Sequence, residues 1–307
     1  MVILFAQAYC LVLSSVLILL SSDCLYMYWL LMEVNLCCMC FLIFKKCYHE
    51  GTVNLNLGLY YFIIQSLASA VFLVSTSRQG YTAHLFLAIS MGIKLGIWPF
   101  YFWYFNFGMQ VDSTTLFIAL TYQKLPFLLL MFYMVHQAIL ILFFLVNMGI
   151  GVVNLLKSEG IVFALLSSSI YMVMWMFLFY CSWDIFLLGF FLMYGVCVYL
   201  LCRFKTLEFW STFELLLTCS AVFLLSLPPF SLFFLKYKVL ETLCYFFTLS
   251  LMSFVMFFTF LSLVGYSKMF FFFFLENFKN YQENNYLPHY SGLVTMVGVV
   301  SVFVFII

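Results

Sequence analysis

Four ionisable side chains of this 307-residue chain, Glu33, Lys94, Lys124 and Lys236, fall inside long apolar stretches, where charge is out of place. An unpaired charge in hydrocarbon costs at least ~2.5 kcal/mol, so such residues persist chiefly in ion paths, proton relays or buried pairs. Burial disfavours the charged form of an amine and a nearby carboxylate favours it. Reorienting one partner can therefore make a lysine take up or release a proton. Several lysines in series with one glutamate are the raw material of a proton path. Two of them also adjoin helix-breaking residues: Gly92, Gly96 and Pro99 surround Lys94, and Pro228 and Pro229 precede Lys236. Paired discontinuous helices of this kind mark transporter-like folds with internal repeats.

The elements that must position these groups are membrane spans. Apolar stretches of roughly 17 to 25 residues, enough to cross a bilayer core, lie near 2–20, 25–44, 59–77, 82–100, 113–134, 137–156, 161–180, 184–202, 212–238, 240–266 and 291–307. They predict an all-α polytopic membrane protein of about 11 transmembrane helices, forming one transmembrane domain over 1–307. Pro228 and Pro229 remove two backbone donors from the ninth span and predict a break there, a feature tolerated only inside protein or beside water.

Composition supports that class. With 67% hydrophobic and 7% charged residues and a mean hydropathy of +1.17, the chain lacks the polar surface of a soluble enzyme, a nucleic-acid-binding module or a disordered regulator. Basic residues are unevenly placed: Lys45, Lys46, Lys157, Arg203, Lys205, Lys268 and Lys279 fall in even-numbered connections, against Arg78 and Lys238 in odd-numbered ones. Positively charged short loops stay on the side of synthesis, so the N-terminus is expected on that side and the C-terminus opposite. Phe accounts for 42 residues, a bias that suggests an AT-rich organellar genome.

Other reactive residue types have a structural reading. The 11 cysteines lie mostly in apolar runs, and Cys37, Cys38 and Cys40 lack the paired spacing and neighbouring histidine of a metal site, so no metal is expected. Residues 2–20 have no basic flank and read as a span rather than a removable signal. Lys238, Glu214 and Glu241 sit at span ends, where charge reaches the headgroups or a helix terminus. His84 and His136, also near span ends, read as hydrogen-bonded interface residues. Nucleotide- and zinc-binding fingerprints are absent from the sequence.

The segment M-G-I-K-L-G-I-W-P-F-Y-F-W from Met91 to Trp103 resembles the K-L-G-x-x-P-F-H-F-W motif of the NADH dehydrogenase subunit 2 family, the antiporter-like membrane subunits of respiratory complex I. W-L-L-M-E-V-N around Glu33, Y-F-I-I-Q-S-L-A-S-A from Tyr61, T-Y-Q-K-L-P ending at Pro126 and S-L-P-P-F-S-L-F-F-L-K ending at Lys236 follow in the family's order. Together these segments cover positions 29 to 236. The resemblance implies an antiporter-like fold in the mitochondrial inner membrane, N-terminus to the matrix. Glu33, Lys94, Lys124 and Lys236 then stand as the family's glutamate, broken-helix lysine, connecting lysine and terminal lysine of a proton path. It further implies a translocating subunit of NADH:ubiquinone oxidoreductase with no cofactor of its own. NADH, FMN, iron-sulfur clusters and ubiquinone are expected in partner subunits. Expected partners are other membrane-arm subunits of complex I and membrane lipids, with no nucleic acid. The family's histidine is Tyr101 here, and Asp112 stands near its loop acid. A free-standing cation/proton antiporter and a structural scaffold are the alternatives, separable by whether the chain migrates only with a very large assembly.

Overall fold

A computed structural model describes residues 10, 25–50, 55–78, 80–158, 160–181, 186–204, 231–244 and 249–284. Within these the chain is helical, and six stretches are long and apolar enough to cross a membrane: Tyr26–Phe44, Asn56–Thr76, Ser113–Met134, Gln137–Lys157, Ile161–Cys181 and Leu251–Lys268. The expected span 2–20 apart from residue 10, span 291–307, and span 212–238 before residue 231 lie outside the described residues.

The chain divides into two units, 1–147 and 148–307. In the first, α1 (Leu25–Glu50) and α2 (Leu55–Thr76) pack side by side, and α2 also packs on α3 (Tyr81–Leu95). Next come α4 (Tyr101–Gln110), α5 (Ser113–Leu120) and α6 (Lys124–Met134), with α6 against α3 and α4 against α2. Helix α7 (Gln137–Lys157) carries the chain out of this unit. The second unit packs α8 (Ile161–Cys181), α9 (Phe186–Phe204) and α10 (Ser231–Leu243) against one another and also contains α11 (Leu249–Asn284).

Helix α8 is buried almost all round, from Ala164 to Phe179. Its three consecutive serines, Ser167, Ser168 and Ser169, donate to the carbonyls of Ala164, Leu165 and Leu166 at 2.9, 2.9 and 2.6 Å. Hydroxyls satisfied within their own helix can be buried in an apolar core without an unpaired donor.

Several expected spans differ in detail. The stretch 82–100 stops being helical at Leu95, because Gly96 adopts φ 64°, ψ 40°. Gly96 N–H then bonds to the Ile93 carbonyl at 3.2 Å and Ile97 N–H to the Gly92 carbonyl at 3.1 Å, which is the Schellman ending that glycine favours. At ~1.5 Å per residue the 15 residues of α3 rise only about 22 Å, short of the ~30 Å hydrocarbon core. The helix by itself is therefore too short to cross it.

The stretch 113–134, expected as one helix, is two. The chain turns at Thr121–Gln123, where Gln123 N–H reaches back five residues to the Ile118 carbonyl at 3.1 Å and Thr121 Oγ1 donates to the Phe117 carbonyl at 2.7 Å. Pro126 is the physical reason. In a continuous helix its ring would strike the carbonyl of Tyr122, whereas at the third residue of a new helix its missing N–H is not needed. The connection expected over 101–112 is the ten-residue α4. Finally, the boundary expected at 239 does not exist: α10 runs on to Leu243 and α11 extends from Leu249 to Asn284, past the expected end at 266.

Candidate functional site

In the first unit, Lys94 lies in the last turn of α3, one residue before the helix ends, and is 4% exposed. Its ammonium stands 5.3 Å from the centre of the Phe127 ring on α6, and among the described residues it has no hydrogen-bond partner. Glu33, half-buried on α1, is the carboxylate whose charge acts on Lys94. Among the described residues no ion pair within 4.0 Å joins them. Lys94 is thus subject to the charge of Glu33 without forming a salt bridge to it.

Lys124 is the first residue of α6, placed there by the turn at Thr121–Gln123, and is buried. Its ammonium is 4.4 Å from the centre of the Tyr104 ring on α4. The adjacent Gln123 donates from Nε2 to the Tyr61 hydroxyl on α2, and the Tyr61 ring lies against Phe107 and Trp103 at 5.0 and 6.1 Å. Trp103 Nε1 donates to the Ile93 carbonyl at 3.0 Å. Helix α4 therefore faces both lysine-bearing breaks with aromatic side chains. Such rings accept a cation on their faces at hydrocarbon depth, where water cannot solvate it.

Around the α3 break, Asn147 on α7 accepts the Trp98 N–H at 2.6 Å and donates to the Phe143 carbonyl at 2.6 Å. An unwound backbone leaves peptide groups without helical partners, and a side-chain amide supplies both a donor and an acceptor. Sequence reading missed Tyr61, Trp103, Tyr104, Gln123 and Asn147. Gln123 and Tyr61 lie inside the quoted motifs, but their partnership crosses 62 positions.

Both histidines take the hydrogen-bonded role that their positions suggested. His84 Nδ1 bonds to the Met134 carbonyl at 2.9 Å, with the His136 ring 6.1 Å from its own. Tyr101 stacks on Phe102 at 4.3 Å. Asp112 caps α5, its carbonyl accepting from Leu116 N–H at 2.7 Å and Thr115 Oγ1 at 3.1 Å. Cys37, Cys38 and Cys40 are free thiols of increasing burial.

In the second unit, Lys236 on α10 is 5% exposed, while Lys238 two residues on is exposed. Lys236 therefore does not snorkel. Its ammonium stands 5.1 Å from the Tyr171 ring centre and 5.2 Å from that of Trp175, both on α8. All three buried lysines rest against aromatic faces. Pro228, Pro229 and Glu214 lie outside the described residues.

No protein-family model matches the chain. It is 35% identical over 111 residues to NADH-ubiquinone oxidoreductase chain 2 of Rhipicephalus sanguineus, a match covering 35% of this chain and 34% of that relative. It is 30% identical over 120 residues to the chain 2 of Struthio camelus, covering 35% and 34%. The chain thus spans about a third of the length of the curated relatives it matches. A chain of respiratory complex I from Thermus thermophilus shares its fold with a TM-score of 0.70 at 19% identity, over 85% of this chain and 69% of that one. By sequence over one segment the chain resembles NADH-ubiquinone oxidoreductase chain 2, and by fold over most of its length it is a multi-pass membrane protein, helical in its described residues, similar to a chain of respiratory complex I.

Proposed function

We propose that the chain is a membrane-arm subunit of NADH:ubiquinone oxidoreductase, respiratory complex I, and that Glu33, Lys94, Lys124 and Lys236 carry protons through it. The observation that supports this best is Lys94. It is buried without a hydrogen-bond partner among the described residues, at the broken end of α3, with Glu33 as its electrostatic partner. A buried amine without a fixed acceptor costs stability that a purely structural position would not retain. Moving the α3 end, or the α1 carboxylate, changes the balance between protonated and neutral lysine, which is the elementary step of proton transfer.

Lys124 acts in the first unit as the connecting group, and Lys236 acts in the second. The aromatic faces beside all three stabilise the ammonium form without supplying a base that would hold the proton permanently. The chain works in the mitochondrial inner membrane, N-terminus to the matrix, beside other membrane-arm subunits. Electrons pass through NADH, FMN, iron-sulfur clusters and ubiquinone in partner chains. NADH-driven proton pumping in sealed vesicles tests the reading. Lys94→Met should leave the assembly intact on native gels and lower pumping relative to electron transfer. A pumping ratio equal to wild type would reject the role of Lys94. Migration of the chain as a small free species would instead favour a free-standing antiporter.

A further inference from the structure

Three buried side chains of the first unit each hold one polar atom that has no hydrogen-bond partner among the described residues: Oδ1 of Asn35, Nε2 of Gln65 and Nζ of Lys94. They are 1%, 1% and 4% exposed. Unpaired polar atoms are rare in folded interiors because their lost hydration is not replaced, and they are the groups to which buried water bonds. The two amides have no part in the proton path proposed above. Both nevertheless lie in segments that resemble the family's motifs, Asn35 two residues after Glu33 and Gln65 four after Tyr61.

The three groups share one depth. Only four residues separate α1 from α2, so this packed pair runs antiparallel. The Phe44 ring covers Gly58 and sets their register. Asn35 lies nine residues back from that point and Gln65 seven residues on, about 13.5 and 10.5 Å along the two helices. Helix α3 turns back on α2 in the same way. Gln65 precedes the end of α2 by 11 residues and Lys94 follows the start of α3 by 13, about 16.5 and 19.5 Å. Asn35, Gln65 and Lys94 therefore fall within about 6 Å of depth, roughly one helical turn. Gln65 is in the middle, on the helix that packs against both of the others.

We infer that Asn35 and Gln65 are positioning residues for Lys94: together they hold ordered water at its depth, and that water receives the proton the lysine gives up. The inference rests on the proton path proposed above. An occupant of this site must accept from the Gln65 amide and the Lys94 ammonium and must donate to the Asn35 oxygen. An anion only accepts and would face that oxygen, and a metal cation would face the ammonium. Water does both. The flexible lysine stem lets the ammonium move to it from the Phe127 ring, 5.3 Å away. The Lys94 N–H bond then breaks as the water takes the proton. The water releases one of its own toward Glu33, the carboxylate whose charge acts on Lys94, leaving a neutral lysine, a protonated glutamate and the water restored.

A density map of the assembly purified from native membranes, at a resolution that shows water, tests the site. A peak should stand ~2.7–3.2 Å from both Asn35 Oδ1 and Gln65 Nε2. No peak there, or the two amides bonded directly to each other, overturns the inference. Gln65→Leu keeps most of the volume and removes the donor. It should assemble on native gels, lose the peak and slow NADH-driven pumping in sealed vesicles about 5-fold, the equivalent of one hydrogen bond. Gln65→Asn leaves a larger void but keeps the amide, and should restore at least half of the lost rate, which a packing role would not do. Asn35→Leu carries the same expectation as Gln65→Leu and replaces it should that variant not assemble. Wild-type pumping in the leucine variants, or leucine serving better than asparagine at position 65, also overturns the inference. The density is read without transport: a missing peak beside a pumping defect in Lys94→Met sinks this inference alone, whereas wild-type pumping in Lys94→Met sinks the proton role of Lys94 whatever the density shows.

Discussion

Lys124 places its ammonium 4.4 Å over the ring of Tyr104, the same tyrosine whose Cβ fills the space a side chain at position 96 would need, 2.6 Å from an ideal Cβ. One residue of α4 therefore seats Lys124 and also packs against the break that ends the helix of Lys94. The surroundings of the two lysines share this tyrosine, because α4 cannot shift away from Gly96 without moving the aromatic face beside Lys124.

Gly96→Ala should consequently be among the most damaging substitutions in the first unit. The left-handed conformation costs an L residue about 1–2 kcal/mol, and the added methyl meets the root of Tyr104 rather than a flexible tip. Gly92→Ala should be milder, since its new methyl meets the far end of the Phe143 ring at 3.1 Å. The amount of assembled protein on native gels and its thermal stability in detergent check the order. Equal loss in both variants would contradict it.

Replacing Lys124 by Met keeps most of the stem's volume and removes a buried charge, so the protein should assemble at near wild-type levels. Coupled proton transfer should fall if this lysine carries protons. Assembly and NADH-driven pumping in sealed vesicles are measured together. Full pumping by fully assembled Lys124→Met protein would make the lysine structural.

The buried Gln123–Tyr61 hydrogen bond ties α2 to the turn that sets Lys124 at the head of α6. Removing the hydroxyl in Tyr61→Phe orphans the Gln123 amide and should cost about 1–3 kcal/mol, while Tyr61→Phe with Gln123→Leu should recover part of that loss. A double-mutant cycle on unfolding midpoints reads the coupling. Strict additivity would mean the bond contributes nothing.

In the second unit, Gly151 on α7 allows close approach to α8. A Cβ there would lie 2.9 Å from the Tyr171 backbone nitrogen and 3.2 Å from its Cα, atoms that cannot rotate away. Gly151→Ala should lower thermal stability, and Gly151→Val should lower it further. Gly195 on α9 has open space around it, so Gly195→Ala should be neutral or stabilising, because alanine is the better helix former by ~1 kcal/mol. A tolerated Gly151→Val would disprove the close packing.

Composition and hydropathy determined that the protein is a multi-pass helical membrane protein, since a chain this apolar has no other way to bury its surface and satisfy its backbone. The same reading located the buried lysines and the break beside Lys94, because Gly96 and Pro99 announce themselves by residue type. It did not find the turn at Thr121–Gln123. Hydropathy measures transfer to lipid and is blind to hydrogen-bond register, and Pro126 is as compatible with the first turn of a helix as with a kink. Nor did it find that α10 runs to Leu243, because Lys238 and Glu241 look like a loop yet form the exposed face of a continuing helix. Tertiary structure alone decided which rings meet which lysines: Phe127 with Lys94, Tyr104 with Lys124, Tyr171 and Trp175 with Lys236. A buried ammonium is stabilised by whatever face another helix brings within a few ångströms, and that distance follows from close packing of whole helices, which no local stretch of residues encodes.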